Sequence, residues 1–313
     1  MLKILIQLFH DLVHRNAPGC AGISPQYAPR PLPKAGIGRT KLPEITPRLS
    51  IVIPSFNQGE YLEQAIRSVL DQCYPNLELI VVDGGSTDNS VSIIKQYAKQ
   101  LKWWVSEPDS GQAEAINKGM QHATGEILAW LNSDDMLMPG SLFIIARHLE
   151  ESPTTDVVYG HRVLVNETGE DVGKWILPRH DNFILSYADY IPQETLYWRR
   201  RIWQETGARV DERYQFAMDW EMLNRFVTAR ARFHRIPAFL GQFRIHPGQK
   251  SSALIEKTGF DEMEKIRIRY LDRFSNPLQR WCITHLRMLN LAVYMLRAKW
   301  TELGLRWGVI ELI

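Results

Sequence analysis

Three carboxylates stand where an open α/β sheet does its chemistry. Asp83 follows the apolar run Leu79-Ile80-Val81-Val82, and Asp134-Asp135 close the stretch that follows Ile127–Leu131. Ligands of such sheets bind beyond the carboxyl ends of the strands. A single acid after a buried run also serves as a turn cap, so Asp83 taken alone admits both readings. Two adjacent carboxylates at a second strand end repel unless a cation or a proton lies between them. Hard oxygen ligands of this kind suit Mg²⁺ or Mn²⁺, which commonly share their coordination shell with substrate phosphates. Gly84-Gly85 allows close backbone approach after Asp83. Neither G-x-G-x-x-G nor G-x-x-x-x-G-K-[ST] occurs, so a phosphate would be held by some other device.

The elements that must position these acids alternate along the chain. Residues 49–53 form a short apolar run closed by Pro54-Ser55, and 77–82 and 127–131 repeat the pattern. Residues 59–72 place Leu62, Ala65, Ile66, Val69 and Leu70 on one helical face. A turn at 83–88 leads into a second helix through Tyr97, with Thr87 or Asp88 as its cap. Strand 103–106 and helix 111–122 follow. Repeated β-α-β units with continuously apolar strands predict an α/β fold with a mostly parallel sheet covered by helices. Past Asp135 the pattern predicts a helix at 140–151, a strand at 157–159 and an antiparallel excursion at 161–177. Residues 260–313 read as a helical, amphipathic and basic C-terminal extension with Trp281, Trp300 and Trp307.

Composition narrows the classes. The 313 residues are 45% apolar, ordinary for a globular protein. No apolar stretch reaches the roughly 18 residues of a membrane-spanning helix. The net charge of +2 hides a segregation: residues 1–48 carry +5, 265–313 carry +6, and 49–264 carry −9. An acidic centre argues against nucleic acid as a partner and suits a metal site. The basic ends fit either solvated helix faces or contact with an anionic membrane surface. Cys20, Cys73 and Cys282 match neither a disulfide framework nor a zinc pattern, which points to a reducing, cytoplasmic location. The opening MLKILIQLF is broken by Gln7 and lacks a small-residue cleavage site, so a secretory leader is not expected. Seven of 17 prolines fall within residues 1–48, which read as an N-terminal segment and Pro-rich linker or a chain draped on the surface.

Four ordered motifs carry a family resemblance: LSIVIPSFN at 49–57, LIVVDGGSTDNS at 79–90, EPDSGQAEAINKG at 107–119 and TGEILAWLNSDD at 124–135. Together they resemble the inverting family 2 glycosyltransferases of GT-A fold, most of all bacterial enzymes of surface-polysaccharide and O-antigen assembly. The resemblance spans residues 49–252. It implies a glycosyltransferase domain over 49–259, with a nucleotide-binding half at 49–135 and an acceptor half at 136–259. It further implies that Pro54, Ser55 and Asn57 lie against the nucleotide and that Asp83 bonds the donor's base. Asp109 and Gln112 would stand near the donor, Asp134 beside the ribose or sugar, and Asp135 on the metal. Asn117 matches a family Asn, and a buried amide fixing its helix fits it equally. Many relatives have Asp where this chain has Asn132.

Further along, AMDWEMLNR at 217–225 resembles the helix that bears the catalytic base, with Asp219 in the matching place. A helix N-cap is the alternative for that residue. FRIHPGQKSS at 243–252 resembles a closing loop that brings His246 to the metal or diphosphate. PQETLYWRRR at 192–201 resembles the acceptor side, with Gln193, Glu194 and Arg244 as acceptor candidates. The expected reaction moves a sugar from a nucleotide-diphosphate sugar to a hydroxyl of a saccharide or lipid-linked saccharide, with Mn²⁺ or Mg²⁺ as cofactor. Asp219 would take the acceptor's proton and the anomeric centre would invert.

Three rivals are weighed on the same residues. A sugar-phosphate nucleotidyltransferase needs a Gly-rich loop with a following Arg near 53–60, where this chain has IPSFNQGE. A processive synthase carries Q-x-x-R-W, and Gln279-Arg280-Trp281 lacks that spacing. A catalytically silent nucleotide-sugar-binding or membrane-scaffold relative would not need Asp83, Asp134, Asp135 and Asp219 together. Residues 260–313 are expected to dock on the cytoplasmic face of the inner membrane, to pack on the domain or to form a homodimer.

Overall fold

The structure, a computed structural model, describes residues 25–32, 46–177, 179–250 and 254–271. It opens with β1 (Leu49–Ser55), α1 (Leu62–Leu70), β2 (Leu77–Asp83), α2 (Ser90–Tyr97), β3 (Trp103–Ser106), α3 (Gln112–His122) and β4 (Ile127–Trp130). These strands pair in the order β3-β2-β1-β4, all parallel, as the continuous apolar runs require. Every residue of β1 and β4 is buried. Side-chain alternation sorts them into two cores, one on each face of the sheet. Val52, Ile80 and Val82 join Ile116 and Trp198 on one face. Ile51, Ile53 and Val81 join Leu62, Ile66 and Ile94 on the other.

The second half is mixed rather than parallel. It comprises β5 (Met136–Leu137), α4 (Ser141–Glu151), β6 (Val157–Val165), β7 (Asp171–Trp175), α5 (Asn182–Leu185), β8 (Tyr197–Arg199), α6 (Arg200–Glu205), α7 (Met218–Thr228) and β9 (Phe233–Arg244). A π turn at Ile255–Gly259 leads into α8 (Phe260–Leu271). Among the described residues the sheet has nine strands, continuing β4-β8-β6-β9-β5, with β7 paired to β6. The expected antiparallel excursion is the β6–β7 hairpin. The expectation of a mostly parallel sheet therefore holds for β1–β4, while β8, β7 and β5 run antiparallel to their neighbours. β9 has no counterpart in the apolar pattern, because Pro237 interrupts it and a proline demotes an apparent strand. The register between β6 and β9 shifts on both sides of His161, which accommodates the interruption.

Residues 25–32 and α8 flank the domain at either end of the described chain. Residues 25–32 do lie along the domain: Gln26 and Arg30 donate backbone N–H groups to Val172 and Asp171 of β7. α8 contributes Met263 and Ile266, 1% and 0% exposed, to the core that holds Trp220 of α7. The expected helices of 272–313, including their membrane or dimer contacts, lie outside the described residues. No helix among the described residues is long and apolar enough to cross a membrane.

A polar knot closes the amino end of the sheet. Glu78 of β2 is 6% exposed and accepts hydrogen bonds from Ser50 Oγ (2.6 Å), Thr124 N (2.8 Å) and Thr124 Oγ1 (2.6 Å). Burial alone would raise its pKa, but these donors and nearby Lys102 outweigh it and hold the carboxyl at about 2. A depressed carboxyl contributes stability that is complete above its unfolded pKa and fades as pH falls toward the folded value. Thermal melts should therefore show stability declining from about pH 5 toward pH 2. Glu78→Gln should cost about 1–3 kcal/mol at neutral pH and flatten part of that decline. A variant with the unaltered pH profile would contradict this account.

Candidate active site

The loops after β1, β2 and β4 converge at the carboxyl end of the sheet, and local hydrogen bonds lock them together. Asn57 takes a left-handed backbone (φ 51°), donates its N–H to Ser86 Oγ (2.7 Å), and accepts from Thr87 N at Oδ1 (2.9 Å). Asp88 accepts from Gly59 N (2.8 Å) and Ser90 N (2.9 Å), but neither it nor Thr87 is the cap of α2, a position held by Asn89. Asn57 thus holds the loop's shape and does not line the cavity. Pro54 and Ser55 do line it, joined by the exposed Phe56 and by Gln58.

Asp83 lies beneath these loops. It is fully buried, and its carboxylate accepts from Gly85 N, Ser86 N, Ser86 Oγ and Ser106 Oγ. Four donors saturate a carboxylate's lone pairs, and Asp83 does not reach the cavity surface. Asp109 does. A Cβ on Gly84 would lie 2.8 Å from Asp109 Oδ2, so the glycine is what lets this acid close over the loop. Burial raises the Asp109 pKa, opposed by a bond from Gly111 N–H.

The Asp134-Asp135 loop is bound from three sides. Asp135, 2% exposed, accepts from Arg244 N–H at Oδ1 (3.0 Å) and from Asn132 Nδ2 at Oδ2 (3.4 Å). Burial first, and then the charges of Asp134 and Glu194, push its pKa well above the carboxylate range. His246 Nε2 lies 3.0 Å from Asp134 Oδ2, so the imidazole meets Asp134 and not Asp135. Among the described residues no three His, Cys, Asp or Glu side chains are grouped to hold a metal. The donor set fits instead an ion shared with a ligand's phosphates, with Asp134 and His246 as protein ligands and Asp135 behind them. Mn²⁺ and Mg²⁺ often bind through one or two protein ligands in this way.

A single cavity of about 690 Å³ joins these loops to the second half of the domain. Asp219 lines it from the first turn of α7. It is not an N-cap: Ala217 holds that position, and Asp219 Oδ1 accepts from Trp220 N–H (2.9 Å). Desolvation raises the Asp219 pKa, against backbone donors and the positive charges of Lys250 and Arg162. Glu262 of α8 fixes the approach to this helix by accepting from Gln215 N, Phe216 N and Ala217 N at 2.7–2.9 Å.

Gln112 donates to Asn132 Oδ1 (2.7 Å) and accepts from Lys250 Nζ (2.7 Å). Gln193 and Glu194 line the cavity. Glu194 is bound by Arg162 through two bonds of 2.7 and 2.8 Å, and Gln193 donates Nε2 to the Trp130 carbonyl. Arg244 does not line the cavity: its guanidinium is spent on the carbonyls of Asp134, Asn166 and Glu167 and on Gln64. Asn117 is structural too, clasping Val210 N and O with its amide. Sequence reasoning missed Lys250, Arg162 and Asp189 as cavity residues. Lys250 lay within the motif at 243–252, whereas no periodicity or motif singled out the other two.

The profile of the family described as Glycosyl transferase family 2 matches residues 50–245. TuaG of Bacillus subtilis, a putative teichuronic acid biosynthesis glycosyltransferase, is 41% identical over 92 residues, 28% of this chain and 36% of TuaG. The chain spans a similar share, 34%, of an uncharacterised glycosyltransferase from Nostoc sp.. Among solved structures, S. aureus TarS 1–349 in complex with UDP-GlcNAc has a TM-score of 0.61 at 18% identity, covering 78% of this chain and 72% of that one. The mannosyltransferase PcManGT from Pyrobaculum calidifontis, in complex with GDP-Man and Mn²⁺, covers 98% of this chain and 88% of its own, with a TM-score of 0.56 at 16% identity. These two structures speak for the GT-A-like fold alone. The profile runs from β1 through β9 and takes in the loops that carry Asp109, Asp134 and Asp135 and the helix that carries Asp219, and on that match the chain belongs to glycosyl transferase family 2.

Proposed function

We propose that the chain is an inverting, metal-dependent glycosyltransferase. It would move a sugar from a nucleotide-diphosphate sugar to a hydroxyl of a glycan or lipid-linked acceptor in surface-polysaccharide assembly. One observation carries this reading: Asp219, a carboxyl that desolvation biases toward a base, shares a single cavity with the Asp134-Asp135 loop. Family membership supports it, as does the likeness to TuaG. Asp109, Pro54 and Ser55 face the donor, while Asp83 braces the loop beneath them. Asp219 accepts the proton of the acceptor hydroxyl as that oxygen bonds to the anomeric carbon. The bond from that carbon to the diphosphate breaks in the same displacement, and the diphosphate leaves with the electron pair. Asp134 and His246, with Asp135 behind them, would hold Mn²⁺ or Mg²⁺, which when bound offsets the charge on the departing diphosphate. Lys250 adds a positive charge on the same side through its bond to Gln112.

Asp219→Asn should lose about 10²–10⁴-fold in transfer while binding donor unchanged, measured by turnover and by donor titration. A variant of near-wild-type turnover would remove Asp219 from its role. Because the base is needed ionised and its pKa is raised, the acid limb of the rate should lie above the ordinary carboxylate range of about 4. An acid limb at or below pH 4 would contradict the assignment. Metal dependence has its own test in metal-stripped protein. Mn²⁺ and UDP or GDP together should raise the melting temperature more than either alone, and Asp134→Ala or His246→Ala should abolish that excess. Full stabilisation by Mn²⁺ alone would mean that the site does not need the diphosphate.

A further inference from the structure

Arg267 of α8 buries a cation where an apolar side chain could pack. Its side chain is 8% exposed, and the carboxylate paired with it, Glu264 at 3.4 Å, is 61% exposed. An ion pair with so exposed an acid contributes little to stability, and well-packed apolar residues often replace a buried charge without loss. What this guanidinium does is join two segments of chain. Its Nε donates to the Tyr187 carbonyl at 2.9 Å. Its charge lies over the rings of Tyr187 and Trp220, 5.2 and 5.6 Å from their centres. Trp220 ties the same two segments a second time, because its Nε1 donates to the Leu185 carbonyl at 2.6 Å.

Both segments run directly into the cavity. Asp189, two residues after Tyr187, lines it, and so does Asp219, which immediately precedes Trp220. The charge on Asp219 is felt at Asp189, so the two acids are neighbours. Arg267 and Trp220 work from behind them. Successive residues of an α-helix are set about 100° apart around its axis, so a rotation of the first turn of α7 that moved the Trp220 ring would swing the Asp219 carboxyl with it. The same helix α8 holds the chain just ahead of that turn through Glu262. Displacing a reacting group by about 1 Å can cost about 10²-fold in rate. Resting on the glycosyl-transfer reading, we propose that Arg267 is a positioning residue for the transfer: through Trp220 it sets the rotation of the first turn of α7 and so the direction from which Asp219 meets the acceptor hydroxyl. The group that aims the base then lies beyond residue 245, where the family match ends.

The test separates aiming from folding. A screen beginning with UDP-GlcNAc and GDP-mannose, with Mn²⁺ present, supplies the donor, and octyl glycosides supply the acceptor. Arg267→Met keeps an unbranched side chain and removes the charge and its donors. In this variant of the full chain kcat for transfer should fall about 10²-fold. KM for the donor, and the rise in melting temperature given by Mn²⁺ with UDP or GDP, should stay as in the unaltered chain. In an Asp219→Asn background the same change should alter the residual rate by less than about twofold, because the group it aims is gone. Trp220→Phe, which keeps a ring and loses the bond to Leu185, should behave in the same way and takes the place of Arg267→Met if that variant does not fold. An unchanged kcat in the folded variant would overturn the proposal. So would a further loss of about 10²-fold in the Asp219→Asn background, since Arg267 would then support the domain at large and not the base. An unaltered chain that transfers from no donor would instead remove the glycosyl-transfer reading, and the role of Arg267 with it.

Discussion

The guanidinium of Arg244 ties together parts of the fold that the chain lays down far apart. Arg244 is 1% exposed, and its nitrogens reach the carbonyl of Asp134, the turn carbonyls of Asn166 and Glu167, and the side chain of Gln64 on α1. The charge also lies over the ring of Tyr61, 4.8 Å from its centre. A buried cation is tolerable only when its donors are satisfied, and removing partners from one typically costs about 3–5 kcal/mol. That demand fixes β9 against the Asp134-Asp135 loop. Arg244 N–H then holds Asp135, and two residues later His246 arrives at Asp134 with its ring beside Tyr61. The acidic loop keeps its shape because an arginine outside the cavity grips its backbone.

Much of this architecture was legible in the residues, and the part that was not has a common cause. β1, β2 and β4 announce themselves because strands buried on both faces must be apolar throughout, and the acids at their ends follow from that geometry. The orientation of each acid does not follow. Asp83 turns inward because Ser86 and Ser106 offer it donors. Arg244 turns away from the cavity because carbonyls on the β6–β7 turn and at Asp134, some 110 residues earlier, need its protons. Such partners are unrelated by any local period. β9 was hidden for a different reason: Pro237 contradicts a strand locally, and only the shifted pairing with β6 resolves the conflict.

Asn132 shows how one atom can decide a residue type. Its amide accepts from Gln112 and donates to Asp135, while Gln112 in turn accepts from Lys250. This links the closing segment of 246–250 to the loop after β4 through neutral amides. A carboxylate at 132 could accept from Gln112 but could not donate to Asp135. It would also add a third negative charge beside Asp134 and Asp135, where burial already disfavours the charge on Asp135. An amide at 132 is thus the choice that this particular network permits.

The clamp made by Glu262 bears on where this protein ends as a working unit. The family match stops at residue 245, yet the carboxylate that gathers three backbone N–H groups ahead of the Asp219 helix comes from α8, beyond that limit. Met263 and Ile266 of the same helix are sealed into the core around Trp220. What a profile recognises and what must fold together are therefore different lengths of chain. The second includes a helix whose carboxylate caps three amides ahead of the first's Asp219 helix. Shortening the chain to the matched span would therefore leave the acids in the sequence while removing a support that holds one of them in place.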